Sequence, residues 1–192
     1  ATMPDLDTPY ALAAERIAAY QRDGYVKLPG ALSEPTIDHY RGVVTDAVLA
    51  RAKHYKPIEE RDTYGKAFLQ ISNLWTHDAG VRELSFSRRL ARIAAELMGC
   101  RGVRMYHDQA LCKEAGGGFT PWHCDQQYWP LATPKCVTAW IPLQAVPQEM
   151  GPLQFAIGSQ HLVTGRDLVI GDESEAVMAR TLADCAKEET PF

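Results

Sequence analysis

The sequence predicts a mainly β fold with flanking helices, in which N-terminal helices precede a core of short antiparallel strands, either a sandwich or a jelly roll. Two observations favour this class: apolar residues recur at helical spacing up to Gly99, and short apolar runs bounded by proline or glycine follow it. The 192 residues amount to one ordinary domain. We therefore expect a single domain over 1–192, with a mostly helical part at 1–99, β core strands at 100–160 and a C-terminal part at 161–192.

Three helices are predicted in the N-terminal part, because apolar residues recur there every three to four positions between helix-capping residues. Thr8 and Pro9 suit the start of the first helix, and Gly24 suits its end. Ser33 precedes the second helix, and Pro35 is tolerated in its first turn. The predicted elements of this part are a helix over 8–24, a strand over 25–28, a helix after residue 33, a loop over 56–63 and a helix over 87–97.

Short strands are predicted after residue 99, since the apolar runs there are brief and each is bounded by proline or glycine. The predicted strands cover 103–113, 119–128, 136–143 and 153–157, and a helical pattern returns over 174–187. Several short strands in succession are typical of an antiparallel sandwich or jelly roll. We therefore expect the β core to hold the chemistry, with the helices packed against it.

Composition and charge exclude several functional classes. The chain has 20 basic and 24 acidic residues and no run of lysines or arginines, so neither nucleic acid nor an anionic membrane is expected as a partner. No apolar run reaches the roughly 18 residues of a membrane span, and no signal-peptide pattern opens the sequence. The five cysteines form no C-x-x-C pattern, and we expect reduced thiols in a cytoplasmic protein.

The most informative short segment is Pro-Trp-His-Cys-Asp at 121–125. If this segment is a strand, His123 and Asp125 point to the same face, and Cys124 points away to pack. An imidazole and a carboxylate together make two-thirds of the 2-His-1-carboxylate arrangement that holds non-haem Fe(II). The same spacing also fits a hydrogen-bonded pair on a surface strand, so these two residues alone leave both interpretations open.

Three longer stretches extend this observation: RDGYVKLPGALS, then RMYHDQALCKEAGGGFTPWHCDQQYWP, then VTAWIPLQAVPQEMGPLQFAIGSQH. In this order, over residues 20–161, they resemble the phytanoyl-CoA dioxygenase family of Fe(II)/2-oxoglutarate-dependent oxygenases. The resemblance implies a double-stranded β-helix, which is a jelly-roll core. It also implies Fe(II), 2-oxoglutarate as co-substrate, and O2.

The resemblance assigns roles to four residues of this sequence. His123 and Asp125 match the first two iron ligands of the family. Gln109 and Trp140 match positions that face 2-oxoglutarate in similar proteins. Lys113 matches a recurrent family position without an assigned role. A glycine-serine-histidine turn ending at His161 matches a turn of the family that is expected to be structural. His107 shares a strand face with Gln109 and is a candidate pocket residue.

The C-terminal part at 161–192 is incomplete when it is compared with the family pattern. The resemblance implies a third iron ligand, a histidine well beyond the turn, followed by an arginine that pairs with the distal carboxylate of 2-oxoglutarate. No histidine follows His161 in this sequence. Three explanations are open: the polypeptide continues beyond Phe192, His161 replaces the missing ligand, or the protein is a relative that no longer binds iron. We expect the first, because a jelly roll without its last strands leaves apolar faces and strand edges uncovered.

The function expected from these observations is oxygenation of a small organic molecule, by hydroxylation or by a related oxidative cyclisation or epimerisation, in secondary metabolism. No basic cluster suited to the phosphates of coenzyme A is evident, which favours a neutral or weakly polar substrate. Two rivals are a non-catalytic jelly-roll binding protein that has lost the metal site and a cupin-like metal-dependent isomerase or hydrolase. Neither the substrate nor the oligomeric state follows from the sequence.

Overall fold

Helices make up most of the regular structure in the computed structural model, which describes residues 4–52, 55–163 and 165–191. The helices are α1 (Ala14–Asp23), α2 (Glu34–Leu49), α3 (Thr63–Ala67), α4 (Ala79–Ser85), α5 (Arg88–Leu97) and α6 (Asp172–Thr181). The strands are β1 (Leu69–Ser72), β2 (Gln109–Cys112), β3 (Gln154–Ala156) and β4 (Lys187–Glu189). The described residues therefore do not confirm a mainly β fold. Both ends of the predicted 1–192 domain, 1–3 and 192, lie outside the described residues.

The first helix begins later than predicted but ends where predicted. Helix α1 starts at Ala14, and Thr8 does not cap it. The Arg89 side chain of α5 donates instead to the Thr8 carbonyl oxygen over 2.7 Å, so a contact across the fold holds this residue outside the helix. Gly24 ends the helix in the left-handed conformation, with φ of 86°, as its lack of a side chain allows.

The second and third predicted helices are confirmed as α2 and α5. Ser33 lies at the N-cap of α2, and a proline occupies its first turn. The Asp5 carboxylate accepts hydrogen bonds from the Ser33 backbone N–H over 2.7 Å and from the Thr36 hydroxyl over 2.8 Å. Ser87 caps α5 by accepting from the Leu90 backbone N–H over 3.2 Å. The start of α5 follows from local capping chemistry, whereas the start of α2 is held by Asp5 from outside the helix.

The predicted loop over 56–63 leads into structure that the sequence analysis did not assign. It contains one 3-10 turn, and α3 follows with Asp62 accepting from the Gly65 N–H over 2.6 Å as its N-cap. Strand β1 comes next and pairs antiparallel with β2, with Ser72 opposite Gln109. This pairing brings α3 and β1 beside Gln109, one of the two residues predicted to face 2-oxoglutarate.

The predicted strands are shorter than expected or absent as regular strand. Of the strand predicted over 103–113, only β2 is regular strand in the structure, and of the strand predicted over 153–157, only β3 is. Within the described residues, no regular strand forms over 25–28, 119–128 or 136–143, and α6 ends before residue 187, where β4 begins. Alternating polarity shows which side chains face inward, whereas a strand also needs a partner for its backbone hydrogen bonds.

Within the part of the chain that the structure describes, buried apolar side chains form three clusters. The first contains Leu69, Ile71 and Leu74 with residues of α2 and α4, and the second surrounds Tyr40. The third joins β3 to α6 through Ala156, Met178 and Leu182, and the partly buried Trp122 packs against it. No helix in the described ranges has the length and apolar character needed to cross a membrane.

Candidate metal centre and cofactor site

His123 and Asp125 converge, although the segment that holds them is not a regular strand. The His123 Nε2 atom lies 3.2 Å from Asp125 Oδ1. Asp125 already begins a 3-10 turn that runs to Tyr128, but Cys124 between the two residues is extended, with φ of −116° and ψ of 119°. One extended residue is enough to direct its two neighbours to the same side. The predicted convergence therefore occurs, and the predicted reason for it, a strand over 119–128, is wrong.

The geometry of this pair fits a divalent cation. Two adjacent ligands of an octahedral cation, each about 2.1 Å from it, lie about 3.0 Å from each other. His123 Nδ1 lies 2.8 Å from the Pro121 carbonyl oxygen, which can only accept, so Nδ1 carries a proton and Nε2 faces the carboxylate. A backbone carbonyl on the second ring nitrogen is the usual support of a metal-binding histidine. Imidazole nitrogen and carboxylate oxygen are donors that non-haem iron accepts.

The protonation of His123 reflects the same contacts. Burial of the imidazole lowers the pKa of His123, but the hydrogen bonds to Asp125 and Pro121 and the charge on Asp125 outweigh it, so the pKa lies above its usual value. A proton on Nε2 occupies the position that a cation between the two side chains would take. Proton and cation therefore compete for this pair.

A third ligand does not join the pair. Across 4–52, 55–163 and 165–191, no three His, Cys, Asp or Glu side chains are arranged to hold a metal ion. His161 is exposed, and its Nε2 lies 3.0 Å from the Gln160 amide nitrogen. The turn that contains it is held against the end of α1, where the Gly158 N–H donates to the Asp23 carbonyl over 2.9 Å. This arrangement favours a structural turn over recruitment of His161 as a ligand.

Gln109 and His107 belong to a second polar group beside the pair. The Gln109 amide nitrogen lies 2.8 Å from His107 Nε2, and its oxygen accepts from Gln70 Nε2 over 2.9 Å. The Tyr64 hydroxyl donates to Gln70 Oε1 over 2.7 Å. Burial first, and then the ionisable groups of Tyr128 and Asp125, raise the pKa of the Tyr64 phenol. The Tyr64 phenol therefore lies within electrostatic reach of Asp125.

Sequence reasoning missed Tyr64 and Gln70, although a signal for β1 was present. Leu69 and Ile71 are buried and alternate with the more polar Gln70 and Ser72. Such alternation is typical of a half-buried strand. The partner of that strand is separated from it by more than thirty residues of sequence, with Leu69 opposite Cys112. Its pairing therefore needed the tertiary structure.

Aromatic rings link the two groups. The His107 ring lies 5.0 Å from the Tyr106 ring and 6.2 Å from the Trp129 ring, both in edge-to-face arrangements. Trp129 directly follows the 3-10 turn that begins at Asp125. Edge-to-face pairs of this kind stabilise packing modestly beyond their buried area. His107 is thus held between the turn with the carboxylate and the strand with Gln109.

The remaining residues singled out from the sequence lie in different surroundings. Trp140 is half-buried in a segment without regular structure, and its contact with 2-oxoglutarate stays a prediction. The Lys113 ammonium donates to the Gly118 carbonyl over 2.9 Å and lies 5.0 Å from the centre of the Phe68 ring. Burial lowers the pKa of Lys113. Lys113 therefore braces the glycine-rich turn after β2.

One family model matches most of this chain. The family model described as phytanoyl-CoA dioxygenase (PhyH) matches residues 20–177. An L-proline trans-4-hydroxylase from Streptomyces griseoviridis is 28% identical over 147 residues, in an alignment that covers 74% of this chain and 53% of that protein. The chain thus spans about half the length of this curated relative.

A solved structure shares the fold. It is the crystal structure of SnoK, a non-heme alpha ketoglutarate dependent carbocyclase from nogalamycin biosynthesis. The TM-score is 0.77 at 21% sequence identity, and the match covers 96% of this chain and 74% of the other. At this identity the likeness concerns the fold. It extends over almost the whole chain, including the segments before and after the His123–Asp125 pair.

Proposed function

This chain belongs to the phytanoyl-CoA dioxygenase family, and on that basis we propose that it is a non-haem Fe(II)/2-oxoglutarate-dependent oxygenase acting on a small organic molecule. The observation that carries the proposal is the 3.2 Å separation of His123 Nε2 and Asp125 Oδ1 inside the matched region. The support of Nδ1 by the Pro121 carbonyl adds to it.

The proposed roles follow from the chemistry of each side chain. His123 and Asp125 would hold the iron, one through a neutral nitrogen and the other through a charge that partly neutralises the cation. Gln109 and Trp140 would bind 2-oxoglutarate, a role based on the family resemblance. When bound, the iron with 2-oxoglutarate and O2 supplies the oxidation, with succinate and CO2 as co-products. A third protein ligand and a carboxylate-binding arginine are further requirements of this proposal.

The surrounding chain would keep the two ligands in place. The Pro121 carbonyl holds a proton on His123 Nδ1, which leaves Nε2 available to a cation. The Trp122 backbone N–H donates to a Glu175 carboxylate oxygen over 2.7 Å, so α6 anchors the residue before His123. The 3-10 turn presents the half-exposed Asp125 carboxylate, whose side chain is 49% exposed. Substrate and solvent can therefore approach from the Asp125 side.

The core architecture, the cellular location and the type of partner are also part of the proposal. We infer a double-stranded β-helix core in a single domain, supported by the TM-score of 0.77 to the carbocyclase structure. A cytoplasmic location is supported by five cysteines that are all free thiols. The proposed partner is a neutral or weakly polar small molecule, with no nucleic acid and no membrane. The relatives' names give a hydroxylation and a carbocyclisation, and both reaction types fit the proposal.

An anaerobic titration tests the proposal on the full-length gene product. Fe(II) is added first and 2-oxoglutarate second, and the weak visible charge-transfer band of the chelated co-substrate is followed. Under air, succinate formation from 2-oxoglutarate is measured with and without iron. We expect the band and iron-dependent succinate. Metal binding without any response to 2-oxoglutarate would favour a cupin-like isomerase or hydrolase, and absence of both would favour a non-catalytic binding protein.

A further inference from the structure

Two side chains outside the predicted site form a hydrogen-bonded chain that ends at Gln109. Tyr64 of α3 donates to Gln70 of β1 over 2.7 Å, and Gln70 donates to Gln109 of β2 over 2.9 Å. Gln109 in turn lies 2.8 Å from His107. We propose that Tyr64 is a positioning residue that acts through Gln70 to fix the amide of Gln109 for 2-oxoglutarate. The inference rests on the proposed function.

Each hydrogen bond in this series fixes the direction of the next one, starting from Tyr64 as donor. The Tyr64 hydroxyl donates to Gln70 Oε1, which leaves the Gln70 NH2 group to donate to Gln109 Oε1. The Gln109 NH2 group then points at His107 Nε2. An amide nitrogen only donates, so His107 Nε2 must accept, and its proton must lie on Nδ1. This series of hydrogen bonds therefore requires the His107 tautomer that carries its proton on Nδ1.

Strand pairing explains why the two glutamines meet. In the antiparallel register of β1 and β2, Gln70 lies opposite Leu111 and Ser72 lies opposite Gln109. Gln70 and Gln109 are thus diagonal neighbours on one face of the sheet. Diagonal pairs are within reach of long side chains. The backbone register brings the two amides together, and their orientation is left to the side-chain hydrogen bonds.

Gln109 needs such support because it is exposed at the start of a short strand. A free glutamine side chain samples many rotamers, and binding a ligand would have to restrict them. Tyr64 is better held, since it is half-buried and projects from a helix whose cap is Asp62. A hydroxyl with a raised pKa also stays protonated and remains a donor. Through these hydrogen bonds, Tyr64 of α3 restricts the orientation of the exposed Gln109 amide.

Tyr64→Phe removes one hydroxyl, and Tyr55→Phe is its matched control. The Tyr55 hydroxyl also donates to Gln70, but to the backbone carbonyl oxygen, so its loss leaves the side-chain relay intact. The first measurement is the ring-nitrogen NMR of His107 in the metal-free, 15N-labelled full chain, assigned by its loss in His107→Asn. We expect a single Nδ1–H tautomer in the wild type and in Tyr55→Phe, and a mixture of tautomers in Tyr64→Phe.

The second measurement is the affinity of the Fe(II)-loaded protein for 2-oxoglutarate under anaerobic conditions. Tyr64→Phe should weaken binding about fivefold, the effect of losing one neutral hydrogen bond. In a Gln109→Ala background, the same change should have no further effect, because its target is gone. Iron affinity should not change, and melting temperatures confirm that each variant folds.

Several results would overturn the inference. It fails if Tyr64→Phe leaves the His107 tautomer as in the wild type, or if Tyr55→Phe disturbs it equally. It also fails if Tyr64→Phe weakens 2-oxoglutarate binding to the same degree with and without Gln109. A wild-type protein that binds no 2-oxoglutarate would instead contradict the proposed function. The NMR result would still show whether Tyr64 orients Gln109, so the two failures are distinguishable.

Discussion

One extended residue and one backbone carbonyl set the geometry of the proposed iron ligands. Cys124 is extended, which directs His123 and Asp125 to the same side of the chain. The Pro121 carbonyl accepts from His123 Nδ1 over 2.8 Å and holds the ring with Nε2 towards the carboxylate. Both features, the extended residue and the carbonyl, lie within the five consecutive residues 121–125. At this scale the site depends on local backbone conformation more than on sheet pairing.

Removal of either proposed ligand should weaken iron binding and stop turnover without unfolding the chain. In His123→Ala or Asp125→Ala, one donor of the pair is lost, so Fe(II) affinity should fall by at least tenfold and succinate formation should stop. Metal titration, succinate assays and far-ultraviolet circular dichroism measure these effects.

His161→Ala is the matched histidine control, because His161 lies in the exposed turn beside α1. Its iron affinity should equal that of the wild type. A loss as large as that of His123→Ala would make His161 a ligand and would require this turn to move. Wild-type affinity in both His123→Ala and Asp125→Ala would remove the proposed metal centre.

At the element scale, the start of α2 is stabilised by a residue far from it in sequence. The Asp5 carboxylate accepts from Ser33 and Thr36, and the Arg89 guanidinium lies 3.6 Å from it. The Ser33 hydrogen bonds, the Thr36 hydrogen bond and the Arg89 charge hold the pKa of Asp5 below its usual value, against the effect of burial. This contact links the N-terminal segment to the helix that lines two of the three apolar clusters.

Asp5→Asn should lower the free energy of unfolding by about 1 kcal/mol at pH 7, because a charged acceptor is lost at a helix start. A lowered folded-state pKa gives stability that is fully present above the unfolded value, near pH 4. That stability is lost as the pH falls through the folded value. The difference between variant and wild type should therefore shrink below pH 4. Urea denaturation at several pH values measures it.

Asp7→Asn provides the charge-matched control for this prediction. Asp7 is exposed, and its contact with Arg88 spans 3.7 Å between exposed side chains. Its replacement should change stability by less than about 0.5 kcal/mol. A pH-independent loss in Asp5→Asn, or an equal loss in Asp7→Asn, would contradict the assigned role of Asp5.

The turn after β3 and the end of α1 form a second contact between distant elements. Gln160 of the turn donates to the carbonyl oxygens of Gln21 and Arg22 over 3.3 and 3.1 Å. A Cβ atom on Gly24 would lie 2.5 Å from Gln160 Oε1. The glycine is therefore needed for its left-handed backbone and also for the space that Gln160 occupies.

Gly24→Ala should destabilise the protein by about 2 to 3 kcal/mol, as the sum of backbone strain and displaced Gln160 hydrogen bonds. Gly99→Ala separates the two causes. Gly99 has a φ of 61°, and a Cβ atom there meets nothing within 4 Å, so about 1 kcal/mol is expected from the backbone alone. Thermal or urea unfolding compares the two, and equal losses would show that Gln160 does not contribute.

At the scale of the whole molecule, the apolar interior of the described residues is divided, and one of its clusters adjoins the proposed metal centre. The cluster of Ala156, Met178 and Leu182 contacts Trp122, which precedes His123. The cluster around Leu74 joins α2, α4 and β1. Both clusters therefore stabilise the fold, but the segment that contains His123 packs against the cluster formed by α6 and β3.

Met178→Ala and Leu74→Ala should each lower the free energy of unfolding by about 2 to 5 kcal/mol, since both side chains are at least 95% buried. We expect only Met178→Ala to weaken Fe(II) binding as well, because the cavity lies beside Trp122. Denaturation and metal titration at a temperature where both variants are folded measure the two effects. An equal fall of iron affinity in both variants would show that the clusters act on the site only through global stability.

The sequence by itself determined those features whose causes lie within a few neighbouring residues. The cap at Ser87 and the left-handed Gly24 were predictable because they satisfy backbone groups one turn away. Ser33 lies at the predicted helix start, but its side chain accepts no hydrogen bond from the helix backbone. The approach of His123 to Asp125 was predictable for a similar reason, since two residues in extended chain share a side. The resemblance to a family predicted the membership that the family match shows.

The tertiary structure alone decided which distant segments meet. Arg89 holds Thr8 outside α1, and β1 finds β2 across more than thirty residues of sequence, with Tyr64 and Gln70 brought to Gln109 as a result. Alternation of polar and apolar residues shows which face is buried, but it does not name the partner strand. A hydrogen-bonded chain between side chains requires donors and acceptors placed within about 3 Å of one another. Such placement is a property of the packed molecule, because local backbone preferences leave it undetermined.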